Sequence, residues 1–434
     1  MWKYYDGKAI LVTGGSGFLG TALVYRLLTQ TSASHVYLLC RGGTKKLELR
    51  WAESLPKTAI QDLLDMNRIS TLDGDILQPN MGLPERDLTT LQNEVNIVIH
   101  AASSINLGKP LKGLADSITG ASEMIAEFAL TCYSLERFVY VSTAYSNSHL
   151  LPFEKDIDVH VNEEIYEPTN LDITTEWMEV KKLGTSMVYE DQNFPWAYGY
   201  AKNLTERLLQ RRFAKAGDKL LIVRPSIIGP AQHFPFPGYS VPMSTPTTLV
   251  VAGMILSPNL TIKVATKSKD PGRECNLDEV PVDVVVDRML CHLAMGTSGC
   301  IHAVSGQESR VRLLALWDSI LRLRRVPWPR YAAFKDVDWK SSDQHPLARL
   351  YAILGASYCF SEKKTVALSR DPLVKECYGL QLFTEIDMAD QMLTRTRDIH
   401  QVMRRFTHKS IWVWIMANVF YRGFKGRREE QSKR

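Results

Sequence analysis

Short, continuously apolar runs alternate along the first part of the chain with segments whose apolar positions recur every third or fourth residue. Ala9–Thr13, His35–Cys40, Val95–Ala102 and Arg137–Thr143 are too short for stable helices and apolar at successive positions. That is the pattern of strands buried on both faces. Arg68–Asp75, Leu220–Ser226 and Ile301–Ser305 continue the series, and Thr21–Leu28, after the first run, has helical spacing. The alternation predicts an α/β architecture, a doubly wound parallel sheet with helices on both faces. Ligands in such sheets bind beyond the C-terminal strand ends. Asp75, His100, Thr143 and Ser226 all fall at those ends.

Two stretches depart from the alternation. Residues 150–195 are acidic and rich in turn formers, and they lead from one strand end to Tyr198. His233–Pro246 is dense in proline and aromatics, which predicts an ordered loop over the substrate side, since long loops in compact domains are usually functional. From about Val311 the pattern turns helical and more basic, with residues 321–330 as a boundary. The predicted organisation is therefore a nucleotide-binding domain over 1–310, with substrate-side insertions at about 150–195 and 230–300, followed by a helical C-terminal region over 311–434. The sequence has no internal repeat and no low-complexity tract.

Composition narrows this picture only a little. A formal net charge of +5 over 434 residues is too modest and too spread out for a nucleic-acid binder. The seven cysteines form no CxxC pair and show no zinc spacing, so no metal site is expected. Most of them read as small buried hydrophobes of a reducing compartment. Met1–Gly7 runs straight into the first strand, which leaves no room for a signal peptide, and no window approaches the roughly 18 apolar residues of a spanning helix. Ser432–Arg434 only approximates a peroxisomal tripeptide. The expected location is the cytoplasmic side, not secreted, with association at an endoplasmic reticulum or peroxisome surface.

The chemistry begins at Thr13-Gly-Gly-Ser-Gly-Phe-Leu-Gly20. Gly14, Gly17 and Gly20 recur every three residues between the first strand and the first helix. Glycine there permits a tight turn, close approach of backbone to phosphate, and close packing of helix on strand. The helix N-terminus offers free amides and partial positive charge to a pyrophosphate. At the end of the second strand an NAD site would place Asp or Glu for the ribose 2′-hydroxyl. This chain has Arg41 instead, with Lys45 and Lys46 behind it. A guanidinium can bind a 2′-phosphate bidentately, so NADPH is the expected cofactor.

Tyr198 and Lys202, four apart, share one face of a helix. A tyrosine is a reluctant acid–base group at neutral pH, and a neighbouring ammonium is expected to lower its pKa. Thr143 closes the strand Arg137–Thr143, so its hydroxyl should face the crevice and bond a substrate oxygen. Ser142 is the alternative occupant, which strand alternation points the other way.

Thr13–Gly20, His100-Ala-Ala102, Val141-Ser-Thr-Ala-Tyr145, Tyr198-x-x-x-Lys202 and Ile222–Gly229 occur in one order. The series resembles the extended short-chain dehydrogenase/reductases, a Rossmann-type fold. Within them it is most similar to the fatty acyl-CoA reductases and the thioester-reductase domains of carboxylic acid reductases. Pro79–Pro84, Pro235–Gly238 and Val280–Val286 add to the acyl-CoA reductase match, and the likeness covers roughly residues 8–310. It implies that Thr13, Gly14, Gly17, Phe18, Leu19, Gly20, Arg41, Asp75, Ile76, Ala101, Lys202 and Pro225 contact NADPH, with Asp75 near the adenine. It also implies that Thr143, Tyr198 and Lys202 are catalytic. Where the wider family often has an asparagine on the helix after the fourth strand, this chain has Ser117.

The expected reaction is NADPH-dependent reduction of a fatty acyl thioester, acyl-CoA, to aldehyde, primary alcohol or both. The alternatives are a carrier-protein-bound acyl thioester, a hydroxyl or ketone substrate, and a non-catalytic NADP sensor, a class that typically loses the tyrosine–lysine pair. Finally, Ile411–Tyr421 is apolar and aromatic with cations on both sides (Arg404, Arg405, His408 and Lys409; Arg422, Lys425, Arg427 and Arg428). It reads either as a helix packed on the preceding region or as an interfacial membrane contact.

Overall fold

The computed structural model describes residues 1–419 apart from 152–157, 193, 242, 258, 324–329, 375, 376, 378 and 380–394. Its centre is a seven-stranded sheet built from β1 (Ala9–Thr13), β2 (His35–Leu39), β3 (Ile69–Leu72), β4 (Val95–His100), β5 (Arg137–Val141), β6 (Leu220–Pro225) and β7 (Gly299–Ala303). The order is β7-β6-β5-β4-β1-β2-β3 and every pairing is parallel. This is the doubly wound α/β sheet that the alternation predicts. All seven predicted strands exist: β1 has the predicted bounds, β7 starts two residues earlier and ends at Ala303, β3 stops at Leu72, three residues short of Asp75, and β5 stops at Val141.

The continuous apolar runs have a structural cause. Ile10 and Val12 point into one buried layer with helix α1 (Phe18–Gln30), while Ala9 and Leu11 point into the other. With both faces covered, alternation of polar and apolar residues would be destabilising, because each fully buried aliphatic side chain contributes roughly 1.5–3 kcal/mol. Strand order reverses between β1 and β4, which opens the ligand crevice of this architecture there.

The C-terminal part differs from a purely helical expectation. Tyr331–Lys335 pairs in parallel with Thr261–Ala265, and Ser357–Phe360 pairs with Asp158–Val161. Helices Leu313–Arg322, Pro346–Leu350, Lys363–Leu368, Thr396–Arg404 and Ile411–Asn418 also belong to this part among the described residues. Its side chains share one hydrophobic cluster with Tyr145, Trp196, Ile227 and the helix Pro246–Leu256. The predicted boundary at 321–330 falls mostly outside the described residues.

Candidate active site

The nucleotide cradle is built around Gly14. Its φ of +79° suits glycine, and a Cβ there would meet Ala102 N at 2.7 Å and Ala101 C at 2.9 Å. A Cβ on Gly20 would lie 2.0 Å from Gly14 O. Only hydrogen at both positions lets the α1 N-terminus, capped by Gly17, stand against the turn. That leaves the first-turn amides of Phe18, Leu19 and Gly20 without intrahelical acceptors. Thr13 is fully buried: its hydroxyl bonds His100 Nδ1 at 2.7 Å and accepts from Ala102 N at 3.2 Å. It clips β1 to β4 and so sets the crevice from beneath. Ala101 N donates to Thr13 O at 3.2 Å in the same clip.

Arg41 follows β2 and Asp75 follows β3, so adjacent strands bring them together at 3.8 Å. Arg41 is 75% exposed and Asp75 27%, which leaves the guanidinium open to a further anion. Gly42 N donates to Asp73 Oδ1 at 2.7 Å and fixes the turn that presents Arg41. Ile76, next to Asp75, is half-buried against the layer under β3. Pro225 ends β6 opposite Ala303.

The three predicted catalytic residues lie on two elements. Helix α2 (Ala197–Phe213) carries Tyr198 and Lys202, and the turn after β5 carries Thr143. Thr143 and not Ser142 is the hydroxyl that acts on Tyr198, lowering its pKa against the effect of burial. Thr143 Oγ1 also accepts from Tyr145 N at 3.3 Å, whereas the Ser142 hydroxyl is buried without a partner. Gly199 allows this approach, since a Cβ there would reach Ser148 Oγ at 2.9 Å and Tyr145 O at 3.1 Å.

One expectation is overturned. Lys202 does not lower the pKa of Tyr198. Burial raises it well above its ordinary value, and the Thr143 hydrogen bond pulls the other way. The reason is geometric: Lys202 Nζ donates to Val141 O at 2.8 Å and sits 4.7 Å over the Tyr140 ring. Burial pushes the lysine itself down to about 7, opposed by the Glu206 carboxylate one turn further along. His100 is held down to about 3 by burial and then by Lys202, so it is a neutral bridge from Thr13 to Ser122 Oγ (3.1 Å).

Several supporting partners, among them Glu206, Arg224, Asp278 and Thr119, were missed in the sequence, although Ser226 and Ser117 were singled out there. Glu206 and Arg224 form a fully buried bidentate pair at 2.6 and 3.0 Å, tying α2 to β6. Ser226 donates to the buried Asp278 at 2.5 Å, and Ser305 N donates to the same oxygen at 2.8 Å. Burial raises the Asp278 pKa. Ser117 donates to Leu114 O within the π-turn Asp116–Gly120, and that turn brings Thr119 to Ala201 O at 3.3 Å beside Lys202. Apart from the local Ser117–Leu114 bond, each pair joins segments separated in sequence, and no spacing rule links them.

The described part of the proline-rich loop braces the nucleotide side. Tyr239 is fully buried and donates to Phe18 O at 3.1 Å. The Asp283 carboxylate, at the start of helix α3 (Val282–Ala294), accepts from the amides of Gln232 and His233 at 3.1 and 2.7 Å. Ser240 bonds Asp398 of the C-terminal layer. Among the described residues, no group of three or more His, Cys, Asp or Glu side chains could hold a metal ion. None of their helices is long and apolar enough to cross a membrane. The helix Ile411–Asn418 lies on Pro246–Leu256 through Trp412 Nε1 to Leu256 O (3.0 Å), with Met416 and Ala417 buried. Ile411 and Trp414 face outward, and residues 420–434 of the predicted tail lie outside the described residues.

Known proteins agree with this architecture. Fatty acyl-CoA reductase 1 of Rattus norvegicus is 29% identical over 96% of this chain and 78% of its own length. The Homo sapiens protein of the same name is 30% identical over 66% of this chain, a match spanning only 55% of that protein. A reductase domain of a nonribosomal peptide synthetase from Mycobacterium tuberculosis has a TM-score of 0.62 at 16% identity, covering 93% of this chain and 94% of that one. At that identity the likeness is one of fold. These comparisons bear out the resemblance read from the motifs. A family model for an NAD-binding family described as male sterility protein matches residues 12–289, and the chain belongs to that family.

Proposed function

We propose that the protein reduces fatty acyl thioesters, acyl-CoA in the first place, with NADPH as cofactor. The observation that carries the reading is the glycine cradle at Gly14 and Gly20 together with Tyr198 and Lys202 one turn apart on α2, with Lys202 Nζ held at the end of β5 and the Thr143 hydroxyl lowering the Tyr198 pKa. The curated relatives named fatty acyl-CoA reductase favour the acyl-CoA donor over a carrier protein.

The cradle fits a dinucleotide: Gly14, Gly17 and the amides of Phe18, Leu19 and Gly20 would hold the pyrophosphate, and exposed Arg41 the 2′-phosphate. Thr13, Asp75, Ile76, Ala101 and Pro225, at or just beyond strand ends, and Lys202 of α2 would make the remaining contacts. When bound, the reduced nicotinamide supplies hydride. The Thr143 and Tyr198 hydroxyls then stabilise the oxyanion that develops on the thioester oxygen, the kind of preorganised donation that weighs most in acyl chemistry. Collapse expels the thiol and gives an aldehyde. Tyr198 donates the proton when an aldehyde oxygen becomes an alcohol. Lys202, fixed by Val141 O, holds its ammonium at the end of β5, one helical turn from Tyr198. Location at the cytoplasmic face of an endoplasmic reticulum or peroxisome membrane, through the outward side of Ile411–Asn418, suits a lipid substrate.

Incubation with NADPH and acyl-CoAs of graded chain length, with sugar nucleotides as the contrasting arm, tests the reading. Loss of NADPH absorbance with aldehyde or alcohol product is expected only in the acyl-CoA arm. In Tyr198→Phe, turnover should fall ~10²–10⁴-fold while NADPH still binds. Full activity of that variant overturns the assignment.

A further inference from the structure

We propose that Cys291 and Cys377 are a disulfide-forming pair that cross-links helix α3 to the C-terminal part of the chain. Their Sγ atoms lie 2.6 Å apart, although the residues are separated by 86 positions. Ordinary non-bonded heavy atoms meet at about 3.5–4.0 Å. Both thiols are buried, in a small apolar cluster with Val374 and, at its margin, Met1, Met295 and Leu368.

The surrounding backbone keeps the two sulfurs in register. Arg288 Nε donates to Gly379 O at 3.0 Å, and a Cβ on Gly379 would come within 2.3 Å of Asp287 Cβ. Residue 379 therefore lies flush against the same turns of α3 that carry Cys291. The other end of this helix clamps the proline-rich loop through Asp283, and Asp287 pairs with Arg26 of α1 at 2.8 Å. A covalent link at Cys291 would fasten the C-terminal part to the helix that braces both nucleotide-side elements.

The oxidant is a low-molecular-weight disulfide, glutathione disulfide. One protein thiolate attacks its S–S bond, forming a mixed disulfide and releasing one glutathione. The second protein thiolate attacks the protein-bound sulfur, forming the Cys291–Cys377 bond and releasing the second glutathione. Two protein thiols are oxidised, one glutathione disulfide is reduced, and the two protons end on the released thiols. Burial raises the Cys291 pKa, so exchange proceeds through local opening and is slow.

The full chain is incubated for hours with glutathione disulfide, denatured in N-ethylmaleimide, and examined by intact mass and peptide mapping. Half-buried Cys359 serves as the internal control, its glutathione adduct showing that the oxidant reached the protein. The expected result is loss of two hydrogens and a linked peptide pair containing Cys291 and Cys377, reversed by dithiothreitol and absent in Cys377→Ala. If Cys359 is modified while Cys291 and Cys377 are each alkylated singly, or if either pairs with another cysteine, the proposal is overturned.

Discussion

Glu206→Gln should move the pH dependence of turnover downward through Lys202. Both groups are buried, and Glu206 is the charge that opposes the fall of Lys202 to about 7. One helical turn places such groups ~6 Å apart, where Coulomb's law at an effective dielectric constant of about 20 gives ~2.8 kcal/mol, or about two pKa units. Removing the carboxylate charge therefore takes Lys202 from about 7 to ~5. Turnover needs the ammonium, so activity is lost as pH rises through this pKa, and the loss begins ~2 units lower in the variant. At pH 7 the ammonium fraction falls from about one half to ~1%, a ~50-fold drop in kcat that disappears in acid. Glu206 also pairs with Arg224, and stranding that buried guanidinium costs about 3–5 kcal/mol of stability. The double variant Glu206→Gln/Arg224→Met removes both charges and should recover much of that stability while keeping the displaced profile. The assay is kcat against pH from NADPH absorbance at saturating acyl-CoA, with the thermal midpoint of each variant measured alongside. If a folded variant has an alkaline limb that superimposes on the parent's, ionisation of Lys202 does not govern turnover.

Further outcomes follow from the cradle and the tail. Arg41→Ala should weaken NADPH binding by ~10–100-fold, the value of a charge-assisted hydrogen bond, and leave NADH binding unchanged in fluorescence titrations. Equal losses for both cofactors would remove Arg41 from the 2′-phosphate. Gly14→Ala places a Cβ against Ala101 and Ala102 at a positive φ; it should abolish cofactor binding and lower the thermal midpoint, and near-parental binding would show that the turn is not the cradle. Ile411→Ser/Trp414→Ser, on the outward face of the last described helix, should reduce sedimentation with anionic vesicles without changing the midpoint. Met416→Ser, in the core, should lower the midpoint by destabilising that cluster, and vesicle binding unaffected by the outward pair would refute an interfacial role.

What the sequence made legible was local or periodic. The sheet strands other than the half-buried edge strand β3 announce themselves because both faces are largely buried, and the glycine turn because three glycines at fixed spacing have few other uses. Tyr331–Lys335 and Ser357–Phe360 gave no such signal: each is short, the first is largely half-exposed, and each pairs with a strand far away in the chain. The polar shell around the site was hidden for the same reason. Glu206 with Arg224, Ser226 with Asp278, and Asp283 with the amides of 232 and 233 are joined only by folding. The Tyr198 pKa was misread because spacing shows that a lysine is near but not where its ammonium points. Here it points at Val141 O.

That last difference bears on the chemistry of the site. A tyrosine whose pKa lies above its ordinary value keeps its proton throughout the physiological range. Such a phenol is present as a neutral hydrogen-bond donor to an oxyanion. Thr143 adds a second hydroxyl at the same point, and two neutral donors suit the stabilisation of negative charge better than its generation. Lys202, poised near neutrality by burial and by Glu206, supplies a positive charge that depends on pH, whereas Tyr198 remains protonated. The arrangement therefore suits the stabilisation of a developing oxyanion, as the proposed reduction of an acyl thioester requires.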